Sequence, residues 1–270
     1  MRVLFIGGGN MAGALIGGLI ARGADRAGLQ AVDVAQPARQ KLAREFGVET
    51  YASTESAPPG EDVLLLAVKP QQMREAARGV AGRLRGQLVI TIAAGIRTVD
   101  LSRWLQGHRR IVRAMPNTPA LVRRGIAGLY AMPEVDAPGR DTAQRILGAV
   151  GEVLWFDDET LLDAVTAVSG SGPAYVFYFI EALQAAARSL GIAAAEARRL
   201  AIGTFVGAAQ LAADSNEPPE TLRARVTSKG GTTERAVAAL ESRAVKAAIA
   251  EAVRAADARA RQLGEEFGTD

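Results

Sequence analysis

Apolar and polar positions follow two different periods along this chain. Up to about residue 156 short, almost unbroken apolar runs occur at 3–6, 29–34, 62–68, 87–92 and 111–114, with helical spacing between them, as over 10–22 and 38–46. Runs of that length without polar alternation predict strands covered on both faces, and their alternation with helices predicts a doubly wound, mostly parallel sheet. Residues 48–51 read as a short edge strand, 125–130 and 152–156 as closing strands, and 141–150 as the helix between those two. From Asp157 onward no convincing strand appears, so the expected division is an α/β domain over 1–160 and an all-α domain over 161–270.

The second half predicts helices over 173–190, 194–213 and from about Glu234. The first two are rich in alanine and nearly uncharged on several faces. Helices this apolar need cover, and the chain supplies few layers for it, which predicts a dimer interface. Val237, Leu240, Val245, Ile249 and Val253 recur at helical spacing as a stripe for a partner helix.

Composition narrows the picture. With 270 residues and 49% hydrophobic content the chain is long enough for two cores. It has no cysteine, which removes disulfides, thiolate metal sites and thiol nucleophiles and suits a reducing, cytoplasmic setting. No metal site is expected. The net charge of +3 comes from scattered arginines without interleaved aromatics, so nucleic acid is not an expected partner. Only Arg2 precedes the first strand, which predicts no signal peptide, and the most apolar window, 173–190, carries Glu181, Gln184 and Arg188, so a buried helix is expected there, not a membrane span.

The chemistry concentrates in three stretches. The first strand stops at Gly7-Gly8-Gly9-Asn10-Met11-Ala12, where a first glycine permits the turn, a second lets the backbone approach a pyrophosphate, and a small third residue lets helix pack on strand. The helix N-terminus would hold the phosphates. Asp33 ends the next strand about 20 residues later, where an acid accepts hydrogen bonds from an adenosine ribose. Two readings stay open: Asp33 points inward and favours NADH, repelling a 2′-phosphate by roughly 3 kcal/mol per unit charge, or it faces solvent and Arg39 meets the phosphate. Lys69 stands with Pro70 at another strand end. Met115-Pro116-Asn117-Thr118-Pro119 is a rigid polar loop suited to border a nicotinamide. The third stretch, Val226-Thr227-Ser228-Lys229-Gly230-Gly231-Thr232-Thr233, joins two glycines and a run of hydroxyls to a helix N-terminus, an anion-binding nest that fits a small carboxylate. His108, the only histidine, reads as a solvent-exposed loop residue.

Taken together, Gly7-x-Gly9-Asn10-Met11-Ala12, Ala67-Val68-Lys69-Pro70, Met115 to Pro119, Asp163 to Thr166 with Ser169 to Tyr175, and Val226 to Thr233 resemble the pyrroline-5-carboxylate reductase family. The resemblance covers nearly the whole chain. It implies an N-terminal Rossmann-type domain followed by an interlocking all-α dimerisation domain, dimers that assemble into decamers, and NADPH- or NADH-dependent reduction of 1-pyrroline-5-carboxylate to L-proline. It further implies that Ile6, Gly7, Gly8, Gly9, Asn10 and Met11 hold the pyrophosphate, that Asp33 and Thr54 lie by the adenosine, that Ala67, Val68 and Lys69 line the cofactor, and that Ala94, Gly95 and Asn117 lie towards the nicotinamide. Val226, Ser228, Gly230, Gly231, Thr232 and Thr233 would bind the substrate, with Ser228 and Thr233 in the catalytic role and Glu159 as a substrate-proximal acid. Lys229 stands where many members have proline.

The residues agree on their own terms. No lysine occurs between Lys69 and Lys229 and no cysteine anywhere, so the chain offers little for a strong general acid or nucleophile and the cofactor carries the reaction. Two rival classes are weaker. A two-domain hydroxyacid dehydrogenase needs a lysine acid on its second-domain helices, and a non-catalytic dinucleotide sensor would not keep 228–233 intact.

Overall fold

The computed structural model describes residues 1–268 and divides into two compact units, Met1–Ser171 together with the chain from Ala255, and Gly172–Arg254. The first is built on an eight-stranded sheet: β1 (Val3–Ile6), β2 (Leu29–Val32), β3 (Glu49–Tyr51), β4 (Val63–Leu66), β5 (Leu88–Thr91), β6 (Ile111–Met115), β7 (Gly125–Ala131) and β8 (Gly151–Trp155), in the order β3-β2-β1-β4-β5-β6-β7-β8. All neighbours are parallel except β6 and β7. The connection over 116–124 is too short for a crossover helix, so β7 returns antiparallel.

Side chains alternate across the central strands, and both sides are covered. Val3, Phe5, Val63, Leu65 and Ile90 face a core that includes Ala12, Leu15, Ile16 and Leu19 of α1 (Asn10–Ala21), Leu42 of α2 (Gln36–Phe46) and Ile146 of α5 (Ala137–Gly148). Leu4, Ile6, Leu64, Leu66 and Val89 face Met73, Ala77 and Val80 of α3 (Pro70–Ala81) and Leu101 and Trp104 of α4 (Thr98–Trp104). This double cover is why the strands read as continuous apolar runs.

The division near residue 160 expected from the sequence differs from these units. α6 (Leu161–Val165) packs on β6 and β7 with Leu162 and Asp163 buried, so the first unit continues to Ser171. Ser171 is helical (φ −84°, ψ −21°), and its N–H reaches back to the Thr166 carbonyl at 2.8 Å, a wide i to i−5 turn. The closing part of the last helix, α11 (Val245–Gly268), also counts with the first unit: Leu263 and Phe267 lie over Gly95, and Gly264 lies against the Arg97 guanidinium.

The second unit contains α7 (Gly172–Ser189), α8 (Ala194–Ala213), α9 (Pro219–Arg225) and α10 (Thr232–Ser242). α7 and α8 pack on each other, yet α7, α9 and α10 bury no residue, and Phe177, Tyr178, Leu190 and Leu211 stay largely exposed. Among the described residues no helix is long and apolar enough to cross a membrane.

His108 is not the exposed loop residue expected. It is half-buried, its Nε2 is buried without a hydrogen-bond partner, and burial, aided by the Arg110 charge, pushes its pKa down. A histidine depressed in the folded state binds fewer protons there than when unfolded. Its stabilising contribution is present above the unfolded value of about 6.5 and is lost as pH falls from there through the folded pKa. His108→Gln should therefore flatten this part of the stability–pH curve in urea titrations between about pH 5 and 7, and an unchanged slope would refute the assignment.

Glycine replacements in α1 separate propensity from packing. A Cβ on Gly18 would meet Val150 Cγ1 at 2.6 Å and the Ala149 carbonyl oxygen at 2.7 Å, whereas one on Gly13 would make only ordinary contacts at 3.6 Å. Gly13→Ala should gain up to about 1 kcal/mol from helix propensity. Gly18→Ala should instead lose about 1–3 kcal/mol through overpacking, as measured by chemical denaturation.

Candidate active site

The turn after β1 takes its shape from the one residue type that fits. Gly7 has φ +103°, and a Cβ there would lie 2.7 Å from the Ala67 carbonyl oxygen and 2.8 Å from its carbonyl carbon, so only glycine lets β1 end this close to the end of β4. The Gly7 N–H donates to Val32 O at 2.8 Å and the Ala67 N–H to Ile6 O at 2.7 Å, which ties three adjacent strand ends together. Gly9 is the N-cap of α1 in extended conformation with nothing within 4 Å of its Cβ direction, and no side chain caps the helix. The first-turn N–H groups at Asn10 and Met11 therefore stand at an uncapped positive end. Ile6 closes the β1 end of this cradle.

Asp33 is held, not free. Its Oδ2 accepts from the Gly8 N–H and its Oδ1 from the Ala35 N–H, both at 2.7 Å. The carboxylate thus fixes the glycine turn against the end of β2. Arg39 donates to the carbonyls of Asp33 and Val34 at 2.7 and 3.0 Å, so a guanidinium stands beside the same strand end. Ile6, Gly7, Asp33, Thr54 and Val68 are among the residues lining a cleft of about 410 Å³, with Gln72, Glu75 and Gly79 of α3 on its far wall. Lys69 is the N-cap of α3 in extended conformation, ahead of Pro70.

Other residues named from the sequence are placed differently from one another. Ala94 follows β5 half-buried, while Gly95, at φ +72°, has its Cβ direction blocked by Leu263 at 3.1 Å and Phe267 at 3.2 Å. The Asn117 side chain is turned inward: its amide donates to Ser169 O at 3.1 Å and its Oδ1 accepts from the Ile126 N–H at 3.0 Å. Glu159, itself half-buried, joins an ion cluster around the buried Arg113 and Asp163. Its carboxylate accepts the Thr98 N–H and Oγ1–H, each at 2.7 Å, and Arg113 at 3.2 Å; Arg113 also reaches Asp163 at 3.2 Å, and Arg97 lies 3.6 Å from the other Asp163 oxygen. Both Glu159 oxygens are occupied, so this acid holds the start of α4 to β6. Burial, and then the carboxylates of Glu159 and Asp158, push the nearby Tyr130 phenol up.

In the second unit the turn before α10 carries the expected groups. Gly230 has φ +75°, the Gly231 N–H donates to Ser228 O at 3.0 Å, and Gly231 caps α10 without side-chain help. Ser228 and Thr232 are exposed, Thr233 is half-buried, and Val226 is 66% exposed. The Glu234 carboxylate accepts the Gly230 N–H at 2.7 Å, so the turn already holds one carboxylate, from its own chain. The residues that the sequence assigns to a cofactor lie in the first unit together with Glu159, and Val226 to Thr233 lie in the second.

Arg113 escaped the reading of the sequence, although a lone arginine inside the apolar run Ile111-Val112-Arg113-Ala114 was a visible signal of a buried charge with acidic partners. It is 2% exposed. Arg113→Met should cost about 3–5 kcal/mol by leaving two carboxylates short of their shared cation. A loss below about 1 kcal/mol in equilibrium unfolding would show that Arg97 and Thr98 suffice.

An uncapped glycine-rich helix start at the carboxyl edge of a doubly wound sheet defines a dinucleotide-binding class, and the helical unit adds a turn rich in glycines and hydroxyls. Comparisons with known proteins narrow this. Residues 159–263 match the family model for pyrroline-5-carboxylate reductase dimerisation, and residues 2–95 match that for NADP oxidoreductase, coenzyme F420-dependent. The pyrroline-5-carboxylate reductase of Pseudomonas aeruginosa is 45% identical over 268 residues, covering 99% of this chain and 98% of that one. A solved pyrroline-5-carboxylate reductase from Coxiella burnetii superposes with a TM-score of 0.92 at 39% identity, covering 97% and 98% of the two chains. The Plasmodium falciparum pyrroline carboxylate reductase, solved with NADP bound, gives 0.87 at 26% identity over 98% of each. The chain belongs to the pyrroline-5-carboxylate reductase family, and its activity is reduction of pyrroline-5-carboxylate to proline.

Proposed function

We propose that the reaction is carried by NADPH bound along the β1–β4 edge, with 1-pyrroline-5-carboxylate held by the turn before α10. NADP is the coenzyme. The cradle fits it: the open Gly9 position and the uncapped start of α1 suit a pyrophosphate at Gly8 to Met11, and the cleft beside Asp33 and Thr54 suits an adenosine. Because the Asp33 oxygens already accept two amides and Arg39 stands beside them, this strand end suits a 2′-phosphate as well as a ribose hydroxyl. Ala67, Val68, Lys69, Ala94 and Gly95 are assigned to the nicotinamide side, Asn117 by its backbone, since its amide is engaged elsewhere.

When bound, NADPH supplies the hydride. The protein's part is orientation. The first-turn amides of α10 and the Ser228 and Thr232 hydroxyls anchor the substrate carboxylate beside or in place of Glu234, and the Thr233 Oγ1 accepts a hydrogen bond from the protonated ring nitrogen. A protonated C=N is already electrophilic, so holding it in a near-attack geometry supplies most of the rate. The observation that carries this reading is the turn at 226–233, which offers donors, a positive helix end and hydroxyls to a small anion within a few residues.

The helical unit is assigned to pairing with a second copy, its exposed Phe177, Tyr178, Leu190 and Leu211 meeting their equivalents, with dimers assembling further, up to a decamer. The working compartment we assign is the cytoplasm.

The test is reduced-nicotinamide absorbance with pyrroline-5-carboxylate, run with NADPH and NADH and with proline measured as product. Oxidation should be faster with NADPH at equal concentration, and failure with both would overturn the proposal. Thr233→Ala should lower kcat by about 100-fold or more, the range of a lost positioned hydrogen-bonding group. NADPH affinity should stay unchanged, whereas a parallel loss of cofactor binding would contradict the assignment of this hydroxyl to substrate.

A further inference from the structure

One side chain outside the cleft holds together two of its walls. The loop over 52–60 has no regular helix or strand, yet Ala52, Ser53, Thr54 and Glu55 line the cleft opposite Gln72, Glu75, Ala76 and Gly79 of α3. Arg83 stands just past the end of α3, its own N–H bonded to Val80 O at 2.9 Å. Its guanidinium donates to the carbonyls of Thr54 at 2.6 Å, Ala57 at 3.0 Å and Pro58 at 3.0 Å, and to both Glu61 oxygens at 3.2 and 3.1 Å. All three guanidinium nitrogens are in use on one short loop. The Glu61 side chain is 4% exposed; burial alone would raise its carboxyl, but Arg83 and nearby amides hold it below the usual carboxylate range. Besides Arg83, the loop is fastened by the buried Ala57 methyl and by the Arg2 guanidinium against Gly60.

We infer that Arg83 is a positioning residue for the cofactor: by tying the Thr54–Glu61 loop to the end of α3 it pre-forms the adenosine wall of the cleft. This rests on the placement of NADPH above. Without the clamp, binding must order the loop, which raises the cofactor concentration required and leaves the chemical step alone. Lysine cannot replace it, because a point cation opposite Glu61 cannot also reach three diverging carbonyls.

Arg83→Lys tests the inference, since it keeps the charge facing Glu61 and avoids an unpaired buried acid. The KM for NADPH and the Kd for 2′,5′-ADP, which carries only the adenosine half, should both rise about tenfold. The kcat and the KM for pyrroline-5-carboxylate should stay within about twofold. Equal 2′,5′-ADP affinity in the two proteins, or a fall in kcat matching the rise in cofactor KM, would overturn it and leave Arg83 a stabilising residue only. Failure of the unsubstituted protein to bind 2′,5′-ADP would instead overturn the adenosine placement, and this inference with it.

Discussion

The first unit depends on a close approach between two strand ends. At Gly7 the backbone passes so near the Ala67 carbonyl that a methyl group would lie 2.7 Å from its oxygen, and the positive φ of this residue suits glycine alone. Because β1 and β4 end side by side there, α1 and α3 leave the same sheet edge on opposite faces, and the cleft opens at this edge between α3 and the chain that follows β2 and β3. The Asp33 carboxylate then holds the next glycine amide, so the turn is stiff before any ligand arrives.

The groups assigned to chemistry are mild ones, mainly backbone amides, hydroxyls and helix ends. Such groups work through placement, so the surrounding structure has to be rigid. The strong charges are spent on rigidity: Arg113 joins Glu159 and Asp163 under the sheet, and Arg83 gathers the loop at 54–61. Buried pairs of this kind cost desolvation and are poor sources of net stability, but removing one partner is expensive, which makes them effective at specifying a single arrangement.

Much of this was legible from residue types. The strands of the parallel sheet were visible because double burial removes polar alternation, and the boundaries of α8 at 194 and 213 coincide with the reading. The family was legible because five motifs depend on local requirements of backbone and hydrogen bonding. What was not legible involves partners distant in sequence. The spacing of Asp33 left open whether its carboxylate turns inward or to solvent, and its bonds to the Gly8 and Ala35 amides are seen only in the fold. Glu159 was placed near substrate by resemblance alone, and its partners Thr98 and Arg113 lie far away along the chain, where no local pattern records them. The exposed place given to His108 came from its polar neighbours, and its burial comes from the packing around the loop.

By itself the sequence determined the strand and helix order, the glycine turn, the hydroxyl-rich nest and the family, because each rests on contacts within a few residues or on a repeated period. Only the tertiary structure decided which charged side chains are free to meet ligands and which hold the scaffold. An arginine or carboxylate chooses its partner across the fold, through geometry and desolvation that no local pattern records.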